Sequence, residues 1–232
     1  MNPRTISNAA QPPRELVSPP KVEMRSPLAQ LLHALNQPLT GLQCSMEVAL
    51  AGPRTPEQYV HGLREGLVLT ERMRALVEAI RELVDQDEEK DEGPGTADLA
   101  MLLREAQEGL QPVAETKSVC CTLNGPAPCL ATVRTGPRRL EAILFRLLES
   151  SLSLAARGSA LRIETGGAPA EVWVRLRWHG GRPPSAFSRP ELGLLVAQAG
   201  LERAGGVWER ERTDSLVTVT VRLPGVSRSG KS

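Results

Sequence analysis

Residues 26–39 read Ser26-Pro27-Leu28-Ala29-Gln30-Leu31-Leu32-His33-Ala34-Leu35-Asn36-Gln37-Pro38-Leu39, and this stretch decides the fold. Ser26 can accept from an orphan backbone N–H while Pro27 loses no hydrogen bond at the first helical position, so a helix is predicted to start here. Leu28, Leu31, Leu32, Leu35, Leu39, Leu42, Met46 and Ala49 step by three or four and form one broad apolar stripe, and Gly52-Pro53 supplies the stop. Pro38 lies inside and is expected to kink the helix.

Outward from this helix, Thr55-Pro56-Glu57-Gln58 repeats the start signal in the form of a capping box, and a second apolar stripe runs from Tyr59 through Leu67, Leu76 and Ile80 to Val84. Two long helices joined by a few residues form an antiparallel hairpin. One apolar stripe per helix leaves surface uncovered, so dimerisation into a four-helix bundle is expected. The run from Asp85 to Gly95 is charged and ends in Gly-Pro-Gly, which reads as a linker.

From Thr96 the pattern becomes α+β. It predicts a helix near 97–114, strands near 118–123 and 129–134, and a helix near 137–156. Alternation marks strands at Leu161–Glu164 and Val172–Trp178, followed by a helix near 190–204 and strands near 207–212 and 215–223. A mixed sheet with helices on one face is the architecture expected. The domain reading is a disordered lead at 1–25, a hairpin at 26–86, an acidic linker at 87–95, an α/β domain at 96–224 and a disordered tail at 225–232.

Composition narrows the function classes. Of 232 residues 41% are hydrophobic but only 3% aromatic, so aliphatic side chains must fill the core. A formal charge of +1 argues against nucleic acid or an anionic membrane as the main partner. Cys44, Cys120, Cys121 and Cys129 have no metal-ligand spacing and read as reduced core thiols, with the Cys120-Cys121 doublet placing one thiol inward on a strand. No apolar run approaches the roughly 18 residues of a membrane span, and the N-terminus lacks a signal-peptide pattern, so a soluble cytoplasmic protein is expected. No P-loop is present, and His61 and His179 have no partner at coordinating or triad spacing, which makes both structural or exposed.

His33 is the candidate nucleophile: an exposed imidazole on a helix keeps a usable unprotonated fraction at neutral pH, and Asn36 and Gln37 lie one turn away on its side of the helix. The segment His33-Ala34-Leu35-Asn36-Gln37-Pro38-Leu39 resembles the phosphoacceptor box His-Glu-Leu-Asn-Gln-Pro-Leu of sensor histidine kinases, matching six of its seven residues. That resemblance implies a dimerisation and phosphotransfer hairpin, with His33 accepting the phosphoryl group and Gln37 placing the water that hydrolyses a partner's phosphoaspartate. Ala34 departs from the family, which has an acidic residue there that helps take the imidazole proton during attack on ATP.

The second half, to residue 223, resembles the Bergerat-type ATP-binding domain of the same kinases in degenerate form. The helix Glu141–Leu152 is similar to the asparagine-box helix but carries Ser150 at the magnesium-binding Asn. The segment Leu176-Arg177-Trp178-His179-Gly180-Gly181 is similar to the Asp-x-Gly-x-Gly adenine loop, with Trp178 replacing the Asp. Only about ten residues separate Arg182 from the next helix, too few for a phosphate lid. The segment Glu191-Leu192-Gly193-Leu194 is similar to the Gly-Leu-Gly-Leu helix start, but Glu191 replaces the first Gly and would repel phosphate there.

These readings converge on a homodimeric two-component protein that carries a phosphoryl group on His33 and exchanges it with a response-regulator receiver aspartate. ATP and magnesium binding are expected to be lost, so the phosphoryl group would come from an upstream kinase through the receiver. Arg64 and Arg72 are the candidates for meeting the receiver's acidic pocket. A divergent but active ATP-dependent kinase and a non-catalytic scaffold remain open at the level of sequence.

Overall fold

The computed structural model of the chain describes residues 27–88, 93–125, 130–168, 170–181 and 188–226. The expected lead, residues 89–92 of the expected linker, residues 227–232 of the expected tail, Ser26, Cys129 and residues 182–187, where a lid would sit, lie outside them. Helix α1 spans Pro27–Leu50 and α2 spans Pro56–Glu88. The capping box forms reciprocally: the Thr55 N–H donates to Gln58 Oε1 at 3.0 Å and the Gln58 N–H to Thr55 Oγ1 at 3.4 Å. Helix α1 continues through Pro38, whose ring is buried. Its end is closed by Arg54, which donates from Nε to the Val48 carbonyl at 3.2 Å. Helix α2 carries on past Val84 through part of the charged run, which the apolar stripe alone does not indicate.

The expected helix at 97–114 is three elements: β1 (Gly95–Asp98), α3 (Leu99–Gly109) and α4 (Gln111–Lys117). Asp98 caps α3, its carboxylate accepting from the N–H groups of Ala100 and Met101 at 3.0 and 3.1 Å. Pro112 cannot donate within a continuing helix and instead opens α4 in its first turn. The two strands expected next, β2 (Cys120–Asn124) and β3 (Leu130–Val133), belong to different sheets: β3 pairs antiparallel with β1, and β2 enters the main sheet.

Helix α5 (Pro137–Leu154) leads to β4 (Ala160–Ala168) and β5 (Glu171–His179), then α6 (Arg189–Arg203), β6 (Val207–Thr213) and β7 (Leu216–Pro224). The main sheet has the order β2-β4-β5-β7-β6, with β2 parallel to β4 and the other pairs antiparallel. Leu161, Ile163, Val174, Leu176, Trp178, Val217, Val219 and Val221 point to one face and meet Leu103, Leu144, Leu147, Leu148, Leu194 and Leu201 from the helices. The other face is polar; there Arg177 pairs with Glu164 and the Arg175 guanidinium lies 5.0 Å from the Trp173 ring centroid.

Helix α6 is apolar on two sides. Leu194, Ala197 and Leu201 join the sheet core, while Leu192, Val196 and Ala199 are buried against Leu31 and Ala34 of α1 and Leu76, Ala79 and Leu83 of α2. The α/β unit is thereby seated on the base of the hairpin. No helix among the described residues is long and apolar enough to cross a membrane.

Candidate functional site

His33, Asn36, Gln37 and Thr40 are exposed on one face of α1, whereas Leu31 and Ala34 turn toward α2 and α6. At 100° per residue, Leu31 lies roughly 200° around the helix from His33, so the seat of the α/β unit and the imidazole occupy opposite sides. Thr40 donates from Oγ1 to the Asn36 carbonyl at 2.9 Å, adding a contact in the turn that Pro38 leaves one N–H short.

The helix register fixes where the two candidate arginines stand. Gly41 faces Leu69, and Gly66 faces Leu42, where an added Cβ would come within 3.3 Å of a Leu42 methyl. Continuing that antiparallel pairing sets Arg72 opposite Gln37 and Arg64 opposite Ser45. Arg72 is therefore about 6 Å from His33 along the axis, and Arg64 about 18 Å, at 1.5 Å per residue. Of the two, the structure brings only Arg72 to the level of the histidine.

In the α/β unit, the positions read as degenerate are each occupied by packing or pairing. Ser150 is 3% exposed, and a Cβ placed on Gly193 would lie 2.1 Å from its hydroxyl oxygen, so α5 and α6 touch directly at this point. Trp178 is 1% exposed and fills the sheet core. Glu191, in the first turn of α6, takes both guanidinium nitrogens of Arg210, at 2.6 and 2.9 Å. Among the described residues no group of His, Cys, Asp or Glu could hold a metal ion.

Three features escape sequence reasoning. Ala34 reads as a lost acid, yet it is 1% exposed and belongs to the seam between hairpin and α/β unit. Arg210 carries no motif signal, because its partner Glu191 is 19 residues away. Arg146 pairs with Glu82 of α2 and with Glu149 at 2.9 Å. Burial opposes its charge, but Glu149 and Glu82 together hold its guanidinium more firmly protonated than a free arginine.

The core-thiol reading is corrected for two cysteines. Cys44 and Cys120 are exposed, and only Cys121 packs against the core among the described residues. Burial, reinforced by the neighbouring Cys120, pushes the Cys121 thiol up to about 11. His61 and His179 are both exposed; His61 Nε2 is 3.2 Å from Glu65 and His179 Nδ1 is 3.2 Å from the Ser215 hydroxyl.

No family model matches the chain. By sequence it is 27% identical over 141 residues to the sensor protein IrlS of Burkholderia pseudomallei, a match covering 60% of this chain and 30% of that relative. By structure it superposes on the histidine kinase AdeS of Acinetobacter baumannii with a TM-score of 0.53 and 18% identity, over 83% of this chain and 97% of that one. It also superposes on the histidine kinase ThkA, in its crystal structure with the response regulator protein TrrA, with a TM-score of 0.59 and 15% identity, over 87% of this chain and 62% of that one. The chain is histidine-kinase-like. It has a histidine-kinase-type fold, a helical hairpin followed by an α/β unit, and it spans under a third of the length of IrlS. Within this histidine-kinase-like core, His33 lies on the open side of the hairpin and the α/β unit on the other.

Proposed function

We propose that this chain is a phosphotransfer protein of two-component signalling, in which His33 exchanges a phosphoryl group with the aspartate of a response-regulator receiver domain without using ATP itself. The observation that carries this reading is the exposure of His33, with Asn36 and Gln37 beside it, on the side of α1 opposite the seated α/β unit. A receiver can approach that side without moving the second unit. The step is an in-line displacement: an unprotonated ring nitrogen of His33 attacks the phosphorus of the aspartyl phosphate, the P–O bond breaks, and the aspartate leaves as carboxylate. The ring's remaining N–H proton passes to solvent. Donor and product are both high-energy phosphoryl compounds, so positioning supplies most of what the protein must add. Gln37 is assigned to the competing outcome, placing the water that attacks the partner's aspartyl phosphate and releases inorganic phosphate.

The ATP-independent half of the reading is supported by the direct α5–α6 contact at Ser150 and Gly193, the burial of Trp178, and the pairing of Glu191 with Arg210. A carboxylate at the start of α6 opposes phosphate where a helix dipole would favour it. The receiver as partner is supported by the structural likeness to ThkA, whose crystal structure contains a response regulator. Homodimerisation is supported by the hairpin's distal half, where a groove of about 750 Å³ runs between α1 and α2 past Leu42, Met46, Leu63 and Leu67. Leu63 and Leu67 are 70% and 67% exposed in one copy, and a second hairpin would cover them as a four-helix bundle.

The test is to incubate the purified protein with radiolabelled ATP alone and, separately, with a phosphorylated receiver domain, following acid-labile label on wild type and His33→Ala. Label that comes from the receiver, not from ATP, and requires His33 is the outcome expected. Label from ATP would replace this reading with an autokinase, and no His33-dependent label from either source would leave a binding module.

A further inference from the structure

We propose that three arginines of the α/β unit latch it to helix α2 in one register, making the two units a single rigid body. Arg189, at the start of α6, reaches Glu78 at 3.0 Å; Arg146, in the middle of α5, pairs with Glu82; and Arg203, at the end of α6, donates to the Leu83 carbonyl at 3.3 Å. The three contacts come from separated points of the α/β unit and land on positions 78, 82 and 83 of one helix, so together they fix both translation and rotation.

The apolar seam by itself fixes less. Leu192, Val196 and Ala199 on α6 step by four and three, and Leu76, Ala79 and Leu83 on α2 step by three and four, a repeat that recurs a helical turn along each stripe and so marks the register weakly. The charges discriminate between those registers. A slide of one turn toward the start of α2 would bring Arg189 against Arg74 and keep only an Arg146–Glu78 match, and a slide the other way would carry Arg146 past Glu82 and keep only an Arg189–Glu82 match. Glu78 and Glu82 are like charges at i and i+4, a spacing that weakens a lone helix. Glu78 is also paired within α2, with Arg74 at 3.3 Å, whereas Glu82 is matched by Arg146 from the neighbouring unit. Arg146 is also the most firmly held of the three, with Glu149 at 2.9 Å on its other branch.

The latch accounts for a fixed pose in which the α/β unit covers the Leu31 and Ala34 side of α1 and leaves His33 open. It stands on the ion pairs and the seam, whether or not His33 carries phosphate, so its test needs no phosphoryl group. Calorimetric unfolding of the full chain is measured for wild type, E82R, R146E and the swap E82R/R146E, with R189E as a second, more exposed single reversal. Wild type is expected to unfold in one transition. Each single reversal should lower the main Tm by roughly 2 to 4 °C and split the transition into two, while the swap restores one transition and at least half of the lost Tm. R81E, an exposed charge reversal on α2 outside the latch, should leave the transition single. Single reversals that keep one transition at the wild-type Tm, or a swap no better than its singles, would overturn the latch.

Discussion

Ala34 follows the proposed nucleophile by one residue, about 100° around the helix, and packs into the seam. Its small size is set by packing: it is buried in one apolar cluster with Leu31, Leu76, Ala79, Leu83, Leu192 and Val196. Ala34→Glu restores the residue that kinases carry, yet here it would bury a carboxylate in that apolar cluster, at a cost of about 3 to 5 kcal/mol. Chemical denaturation should record that loss, and ATP labelling should stay absent; a stable, ATP-labelled variant would contradict the seam's role. Gly193 faces a comparable limit, since any side chain meets Ser150 at 2.1 Å. Gly193→Ala should destabilise by about 1 to 3 kcal/mol, as overpacking does, with partial rescue by Ser150→Ala, measurable by the same unfolding curves. The thiols differ by exposure. Cys121 stays neutral until pH approaches about 11, so at pH 8 alkylation followed by peptide mapping should mark Cys44 and Cys120 well before it. Because its folded value is raised, Cys121 withholds no stability below the thiol's ordinary range and loses it as pH rises from there toward 11.

At the level of elements, the hairpin was readable because both its helices carry sustained 3.6-residue stripes and because Thr55 and Gln58 form the reciprocal cap their spacing announces. Strands β4, β5 and β7 were readable for the analogous reason, a strict alternation against one covered face. Where local pattern was short, it misled. Strand β1 has four residues and is set by pairing with β3, a partner more than 30 positions away, so it merged with the helix that follows. The division of β2 and β3 between two sheets is likewise decided by non-local pairing. The seam was hidden in a different way: Leu31 and Ala34 fit an intra-hairpin stripe, and Leu192 and Val196 fit a sheet-facing one, so neither helix advertises that it serves two cores. The exposed half of the hairpin stripe carries the element-scale prediction. Leu63→Glu with Leu67→Glu should convert a dimer into a folded monomer, seen as a halved mass by light scattering with unchanged helical circular dichroism. A persistent dimer would place the interface elsewhere.

For the whole molecule, the proposed exchange makes the arrangement of seat and open face decide where a receiver would dock. The reacting atoms have to come within about 3 to 3.5 Å, so the receiver's phosphorylated pocket must press against α1 at His33. Basic groups matter in proportion to their distance from that point. Arg72 is level with Gln37, whereas Arg64 lies about three helical turns away from His33 along the bundle, at 3.6 residues per turn. Arg72→Ala should therefore lower kcat/KM for transfer from a phosphorylated receiver by roughly 10- to 100-fold and flatten its dependence on salt, as loss of a steering charge does. Arg64→Ala should change the rate by less than about threefold, the scale of a rim contact. Transfer rates at two salt concentrations, with circular dichroism to verify folding, separate the cases. Equal losses in the two variants would mean that the receiver lies along the length of the hairpin, and a loss confined to Arg64→Ala would shift the docking site toward its distal end.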